Sequence, residues 1–545
     1  MEKTKGTLTF QLVTTLKSYV CSTLVAVLMI GFSPFGFAQQ IKRVELPIPA
    51  FTDSYFTIPI GKQGVLLLVQ TSKNTFALTR LSTDFEQLWS LNGSIDEKLD
   101  YVTHCYDGKF VFLLFSKYES NVYQVVKVYL GPGFIESYDI YSMDKVKVSQ
   151  FKAYLDNVYI AGDVRNQPVI LYTNLGSRQT KMLPNAVKGE AEIQSIDIDT
   201  LAHRINVSYS VRQGKSSQIL VKSFDEQGRQ DLQVIVEPDD DYSLINGRMV
   251  SLNDSIQLML GTYGFRGNQP TGTMPVSQGL YISKVLPDQV LNPRYYSFTD
   301  FQNFFNYLSP RDRERQERKI QAKREKGEDL RLTNYRFLVH DLIKKENQYI
   351  VVAEAFYPEY RYNNSYNPYG YSAFNTPFGW GWGNTGLLNP WAFGYGSRNL
   401  FYNNMYGYNS YSNQRQIFDG WVYTHAIVAG FDYNGTLLWD NSIEFKDVKK
   451  KVLHEKIKTR IEGDQLTLLY TNKGGLIKKV IQGNKTIEDT QRTELDTQQV
   501  GDKIRSNDDD DAEFWYDNYF IAWGTQRIVG DNGRRSVFYL TKIAY

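Results

Sequence analysis

The five histidines, His104, His203, His340, His425 and His454, are the residues best suited to move a proton near neutral pH or to hold a transition metal. They are scattered along the chain, and none has a second His or Cys at metal-ligand spacing, so structural roles are expected for all five. Of the two cysteines, Cys105 stands in a strand-like Tyr-Val-Thr-His-Cys-Tyr run with no protease signature, which suits a small buried hydrophobe rather than a nucleophile. The runs Asp239-Asp240-Asp241 and Asp508-Asp509-Asp510-Asp511 offer oxygen ligands for Ca²⁺, but they lack the spaced ligands and glycine of an EF-hand loop. Solvated turns are expected there. Gly381-Trp382-Gly383-Asn384-Thr385-Gly386 has the lettering of a dinucleotide loop without the strand before it or the helix after it. Gly214-Lys215-Ser216 resembles the end of a phosphate loop, but Tyr209 stands where the partner glycine is required. The expectation is no catalytic residue, no metal site and no cofactor.

Binding chemistry is better represented. Residues 356–416 contain 19 aromatic residues and 11 Asn, with only Glu359, Arg361, Arg398 and Arg415 charged. This segment is too aromatic for a solvated linker and too poor in aliphatic residues to build a core. Tyr360, Tyr362, Tyr366, Tyr369 and Tyr371, then Trp380, Trp382 and Trp391, then Tyr402, Tyr406, Tyr408 and Tyr411, supply large contact areas with few rotatable bonds. Two readings stay open: a self-sticking low-complexity loop, or an element that docks on or occludes a protein surface. A glycan-stacking site is disfavoured because Glu359 is the only carboxylate in the segment.

A second candidate surface lies upstream. Ser309-Pro310-Arg311-Asp312 reads as an N-cap, a first-turn proline and a capping-box acid, predicting a helix from there to Gly327. It carries eight basic residues, including Arg311, Arg315, Arg318 and Lys319, against four acidic ones, with little apolar surface beyond Ile320. A solvated helix with pairs such as Glu314–Arg318 is one reading; an arm that contacts an acidic partner or anionic lipid headgroups is the other. Lacking an apolar face, it would not insert into a bilayer.

The elements positioning these segments are strands. Beyond residue 50, short runs of Val, Ile, Leu, Tyr and Phe alternate with Gly, Asn and Asp turns. One unit recurs at Gly64–Asn92, Lys109–Tyr141, Asn157–Leu183, His203–Val236, Ser255–Phe298, Gln348–Phe445, Asp464–Leu495 and Tyr519–Tyr545. Its turns fall near Asp84, Gly131, Gly176, Asp225, Asp288 and Asp432, in steps of 47, 45, 49 and 63 residues and, once insertions 301–331 and 357–416 are set aside, 53; a period of about 40–50 residues with several strands per repeat is the spacing of β-propeller blades. The fold class expected is all-β: a single β-propeller of seven or eight blades, closed by pairing of Ile41–Ile48 with Ser536–Ala544, carrying a basic helical insertion and an aromatic, Asn-rich insertion. The unit around Asn472 is poorly defined, which leaves the count open, and two β-sandwich domains are the competing architecture. Ser82–Trp89 is similar to the Asp-box of sialidase propellers, although Glu86 replaces the glycine and Trp89 comes one position late. In that family the box is a turn and not a catalytic site.

The N-terminal residues read as an address. Lys3, Lys5 and Lys17 precede an apolar heart from Val20 to Phe32, and Gly36-Phe37-Ala38 precedes Gln39, the order of a cleavable signal peptide over residues 1–38. An uncleaved membrane anchor is the alternative; Cys21 lies at the wrong end of the apolar run for a lipoprotein. Removing residues 1–38 leaves 58 basic and 58 acidic residues, so no global basic field for nucleic acid exists, and Cys105 has no disulfide partner.

The signal ending Gly36-Phe37-Ala38-Gln39, the Phe-Asp-x-x-Gly turns at Phe224–Gly228 and Phe431–Gly435, and the Tyr/Asn/Gly-rich insertion together resemble exported, propeller-like envelope proteins of bacteria that use the type IX secretion system. Within that group the chain looks like the plug component of the translocon. The resemblance implies a non-catalytic periplasmic protein associated with the outer membrane, docked on a large β-barrel with residues 357–416 as its occluding arm. A carbohydrate-binding or carbohydrate-cleaving propeller is the alternative, and it requires paired carboxylates beside aromatics in one pocket. A self-associating surface component is a third reading.

Overall fold

A computed structural model describes residues 39–48, 55–184, 187–200, 202–253, 256–267, 275–286, 289–328, 330–332, 335–362, 416–499, 501–531 and 533–544. The described chain is nearly all β, arranged in seven hydrogen-bonded antiparallel sheets. One sheet has seven strands because the 21-residue strand Phe134–Tyr154 serves two meanders, pairing with Ser120–Tyr129 through its first part and with Asn157–Val164 through its last. Dividing it there gives eight successive meanders.

The first meander comprises Phe56–Pro59, Val65–Gln70, Thr75–Leu81 and Gln87–Ser94. The second begins at Asp100–Tyr106, the third ends at Gln179–Met182, and the fourth runs from Ala191–Asp199 to Gln230–Val236. The fifth and sixth have divided first strands, Tyr242–Leu244 with Arg248–Ser251 and Arg336–Val339 with Ile343–Lys344. The seventh spans Lys458–Glu462 to Lys485–Glu494, a regular sheet at the place where the unit around Asn472 read poorly. The eighth contains Lys503–Tyr516, Tyr519–Gly530 and Gly533–Ala544, and its fourth strand is Gln39–Pro47, paired from Gln39↔Ala544 to Pro47↔Val537.

Packing explains the hydrophobic pattern. Middle strands such as Val65–Gln70 and Gln465–Asn472 are buried along almost their whole length, because a neighbouring sheet covers each face. Fourth strands such as Lys485–Glu494 lie at the rim and read as mostly polar. Eight apolar clusters each join two meanders, seven of them pairs consecutive in the chain. One of them joins Val65, Leu67, Leu81 and Phe85 of the first meander to Trp515, Ile521, Phe538 and Leu540 of the eighth.

The recurring turns connect third to fourth strands and reach the preceding meander. Asp225 Oδ1 accepts from the Gln227 and Arg229 amides, and Asp432 Oδ1 accepts from those of Asn434 and Thr436, so both turns are tied by the same side-chain geometry. Gly228 and Gly435 take positive φ (68° and 82°) in them. Their backbones are then gripped from the meander before: the Tyr172 hydroxyl donates to Glu226 O, and that of Tyr296 to Gly435 O. Asp288 lies outside the described residues, as does the segment read as a signal peptide. No helix among the described residues is long and apolar enough to cross a membrane.

Candidate functional site

Antiparallel order brings the first insertion to the hairpin that flanks the aromatic segment. In the sixth meander the entrance to its first strand and the Tyr362 and Gln416 ends of the strands Gln348–Tyr362 and Gln416–Asp432 lie at the same end. The first insertion leads into that entrance.

The aromatic segment begins as strand. Gln348–Tyr362 pairs with Gln416–Asp432 out to Tyr362↔Gln416, whereas the first strand of the sheet stops at Arg336↔Phe356. Residues 357–362, expected to belong to the insertion, therefore extend the hairpin beyond the first strand, and Glu359–Tyr362 run beyond the fourth strand as well, whose pairing ends at Trp421↔Lys450. Tyr357 and Tyr360 are 37% and 36% exposed on this extension. Tyr362 ends the strand. Tyr366, Tyr369, Tyr371, Trp380, Trp382, Trp391, Tyr402, Tyr406, Tyr408 and Tyr411 lie outside the described residues, as does the glycine pattern at 381–386.

The first insertion packs against the base of this hairpin. Phe298, Phe301, Phe304 and Phe305 enter the core shared by the fifth and sixth meanders, and Gln302 N and Asn303 N donate to the Asp440 carboxylate at 3.0 and 2.7 Å. His425, fully buried on Gln416–Asp432, is boxed by rings from this segment: Tyr307 stacks on it at 4.2 Å, and Phe304 meets it edge-on at 4.8 Å. Tyr307 in turn hydrogen-bonds Tyr335. Burial lowers the His425 pKa to about 3, so its ring is neutral, and Nε2 has no hydrogen-bond partner among the described residues.

Helix α1, Pro310–Arg324, follows. Ser309 Oγ accepts from Asp312 N at its start. It is anchored along one side by buried Ile320, by Arg313 NH1 on Asn306 Oδ1 at 3.0 Å and by Arg324 NH2 on Thr299 O at 3.1 Å. Arg311, Arg315, Arg318 and Lys319 are exposed. The expected Glu314–Arg318 ion pair does not form; Arg318 Nε lies 3.4 Å from the Glu314 main-chain oxygen, and the carboxylate pair on the helix is Arg313–Glu317 at 3.9 Å.

On its other side the hairpin is held by the end of the fourth strand, Leu437–Lys450, and by the start of the connection into the seventh meander. Lys449 bridges Glu359 and Asp419, one on each hairpin strand, and Lys451 Nζ reaches Asp419 Oδ1 at 3.1 Å. Hydrogen bonds from Lys449 and Lys451 draw the Asp419 pKa down to about 2. The same strand end and connection turn other side chains inward. Lys450 Nζ meets Asp510 Oδ1 at 2.8 Å, and the fully buried Lys456 Nζ meets Asp511 Oδ1 at 3.2 Å. Buried Glu354 accepts from the Lys456 and Ile457 amides (2.8 and 2.6 Å) and bonds His340 Nε2 at 2.8 Å. The Tyr423 hydroxyl donates to His454 O at 2.6 Å.

This corrects the reading of the second acid run. Asp508–Asp511 sits within the strand Lys503–Tyr516, and Asp510 and Asp511 are ion-paired beneath the hairpin instead of forming a solvated turn. Burial raises the Asp511 pKa, but Lys456 and Lys458 outweigh it and hold the group ionised; burial lowers that of Lys456 against the pull of Asp511. The lysines supplying the countercharge lie more than fifty residues from these acids in sequence, so no local spacing pointed to them. Asp239, Asp240 and Asp241 are exposed, as expected.

The remaining chemistry-bearing residues are dispersed. Burial lowers the pKa of His104 and His454, and raises that of the Cys105 thiol, whose Sγ lies against the Ala153 backbone. Gly214-Lys215-Ser216 is a hairpin turn between Arg204–Gln213 and Ser216–Asp225. A cavity of about 200 Å³ between the sixth and seventh meanders is lined by Lys345, Gln348, Trp439, Asp464 and Gln482. Its one carboxylate, Asp464, is tied to Lys345 at 3.2 Å, so the cavity lacks the acid pair that glycoside hydrolysis needs.

No protein-family model and no curated protein matches the chain. Among solved structures it is similar to the polysaccharide lyase Uly1, at 8% identity and a TM-score of 0.38, over 93% of this chain and 99% of the other. It is also similar to the β-propeller domain of the Trilobed protease from Pyrococcus furiosus, described as having an open velcro topology, at 6% identity and 0.32, over 80% and 97%. A prolyl endopeptidase is similar at 8% and 0.35, over 82% of this chain and 50% of its own. Likenesses of this size carry no argument about activity.

Proposed function

We propose that the eight meanders are the blades of one closed β-propeller, with Gln39–Pro47 completing the eighth blade, and that the protein is a non-catalytic scaffold that docks a protein partner. The supporting observation is the hairpin of residues 348–362 and 416–432, whose Glu359–Tyr362 end extends past both neighbouring strands and which is braced on both sides, by the Phe298–Tyr307 segment and by the stretch Lys449–Lys456. A braced stem is what an aromatic docking element requires, since less ordering entropy is then lost on binding. The proposal extends to an exported protein, directed by residues 1–38, that sits on the periplasmic side of an outer-membrane secretion barrel. That part rests on the signal-like segment and the sequence resemblance.

The test compares the tagged full chain with one in which residues 363–415 are replaced by an Asn-Gly turn, both recovered from gently solubilised envelopes. Mass spectrometry should find a large outer-membrane barrel with the full chain and not with the shortened one, while the β circular dichroism stays unchanged. Equal recovery with both, or none with either, overturns the proposal.

A further inference from the structure

Helix α1 distributes its charge unevenly. At 3.6 residues per turn, Arg311, Arg315 and Arg318 fall with Ala322 opposite the anchoring Ile320, and Lys319 flanks them on the edge of that side. All four cations are exposed, and among the described residues none forms an ion pair with a carboxylate. The acids nearby are engaged elsewhere or stand aside: Asp312 accepts from Ser309 Oγ at 2.6 Å, Glu317 faces Arg313, and Glu314 borders the row without pairing to it.

We propose that this row is a docking surface for anionic phospholipid headgroups, which turns the hairpin-bearing end of the molecule toward a membrane. Charge complementarity carries the inference. Four cations spaced by a helical turn or less stand on a helix whose other side is fixed, and three are arginines, whose guanidinium fork matches two phosphate oxygens at once. The chain as a whole is nearly neutral, with formal charge +2, so attraction to an anionic surface must come from a local patch such as this one. A shaped acidic protein would need an apolar or aromatic anchor at the centre of its contact, and the side of α1 that carries these cations offers only Ala322, at its C-terminal end. Long, mobile cationic side chains without such an anchor suit a laterally mobile field of phosphates. Binding is by adsorption, because this side of α1 has no apolar surface to insert.

The experiment is flotation of the purified full chain with vesicles of phosphatidylcholine alone or of phosphatidylcholine containing one-third phosphatidylglycerol. The chain should float with the anionic vesicles only, and high salt should release it. The variant Arg311→Gln/Arg315→Gln/Arg318→Gln/Lys319→Gln should lose partitioning by roughly 10³-fold, from the typical contribution of each basic residue at an anionic surface. Its melting temperature is checked, and a chain with Lys485→Gln and Lys503→Gln serves as a folded control that should still float. Failure of the wild type to float, equal flotation with neutral vesicles, or undiminished flotation of the quadruple variant each overturns the proposal. So does capture by immobilised polyglutamate in preference to the anionic vesicles. The inference does not rest on the protein-partner reading: the chain lacking residues 363–415 should float as well as the full chain.

Discussion

The Tyr307 ring lies flat on the His425 ring, with centroids 4.2 Å apart and planes 5° from parallel. Tyr307 belongs to the segment between the fifth and sixth meanders and His425 to the hairpin that carries the aromatic insertion. This contact fixes the first insertion against a strand of that hairpin. Tyr307→Ala should lower unfolding stability by about 2 kcal/mol, less than a fully buried aromatic would cost, while Tyr307→Phe should cost less. Urea denaturation measures both; equal stability of Tyr307→Ala and wild type would show that the stack holds nothing.

The buried neutral histidines set a sign for acid stability. His425 titrates near 3 in the folded chain against an ordinary 6.5, and His104 is lowered to about 4. The unfolded chain therefore takes up protons first, and the stability these groups contribute is complete above about pH 6.5 and falls as the pH drops toward 4. His340 acts in the opposite sense, since Glu455 and Glu354 raise its pKa against the cost of burial. His425→Gln should reduce by about one the number of protons taken up on unfolding between pH 4 and 6, read from the dependence of stability on pH.

Lys456 is a buried cation whose removal leaves Asp511 without its nearest countercharge. Lys456→Met should destabilise by about 3–5 kcal/mol, and adding Asp511→Asn should recover part of that loss. Chemical denaturation of the two single variants and the double variant closes the cycle; strict additivity would show that the two groups do not interact.

The turn glycines separate conformational strain from crowding. Gly214 and Gly228 both have positive φ, but a Cβ on Gly214 would meet open space, whereas one on Gly228 would lie 2.7 Å from Leu183 Cδ2 of the preceding meander. Gly214→Ala should cost about 1–2 kcal/mol for the left-handed backbone alone, and Gly228→Ala should cost more. Thermal melts of the two variants test the order.

Much of the architecture was legible in the chain itself. Strands, the Asp/Gly turns at Asp225 and Asp432 and the Ser309-capped helix follow from local rules, because turn side chains bond their own backbone and caps satisfy free amides within three residues. The seventh meander was harder to read, since its rim strand Lys485–Glu494 is almost wholly exposed and its residues carry little apolar alternation.

The candidate site divides along the same line. Composition alone determined that residues 356–416 and the helix after Ser309 are the two unusual segments. Only the tertiary structure decided that the strands flanking the first of these segments end beside the second, that Tyr307 meets His425, and that Asp510 and Asp511 are buried ion-pair partners of Lys450 and Lys456. The physical reason is range. A turn or a cap is fixed by neighbours in sequence, whereas the environment that makes an aspartate a buried anion comes from side chains 55 and 60 residues away, which only the packing of successive sheets brings within reach.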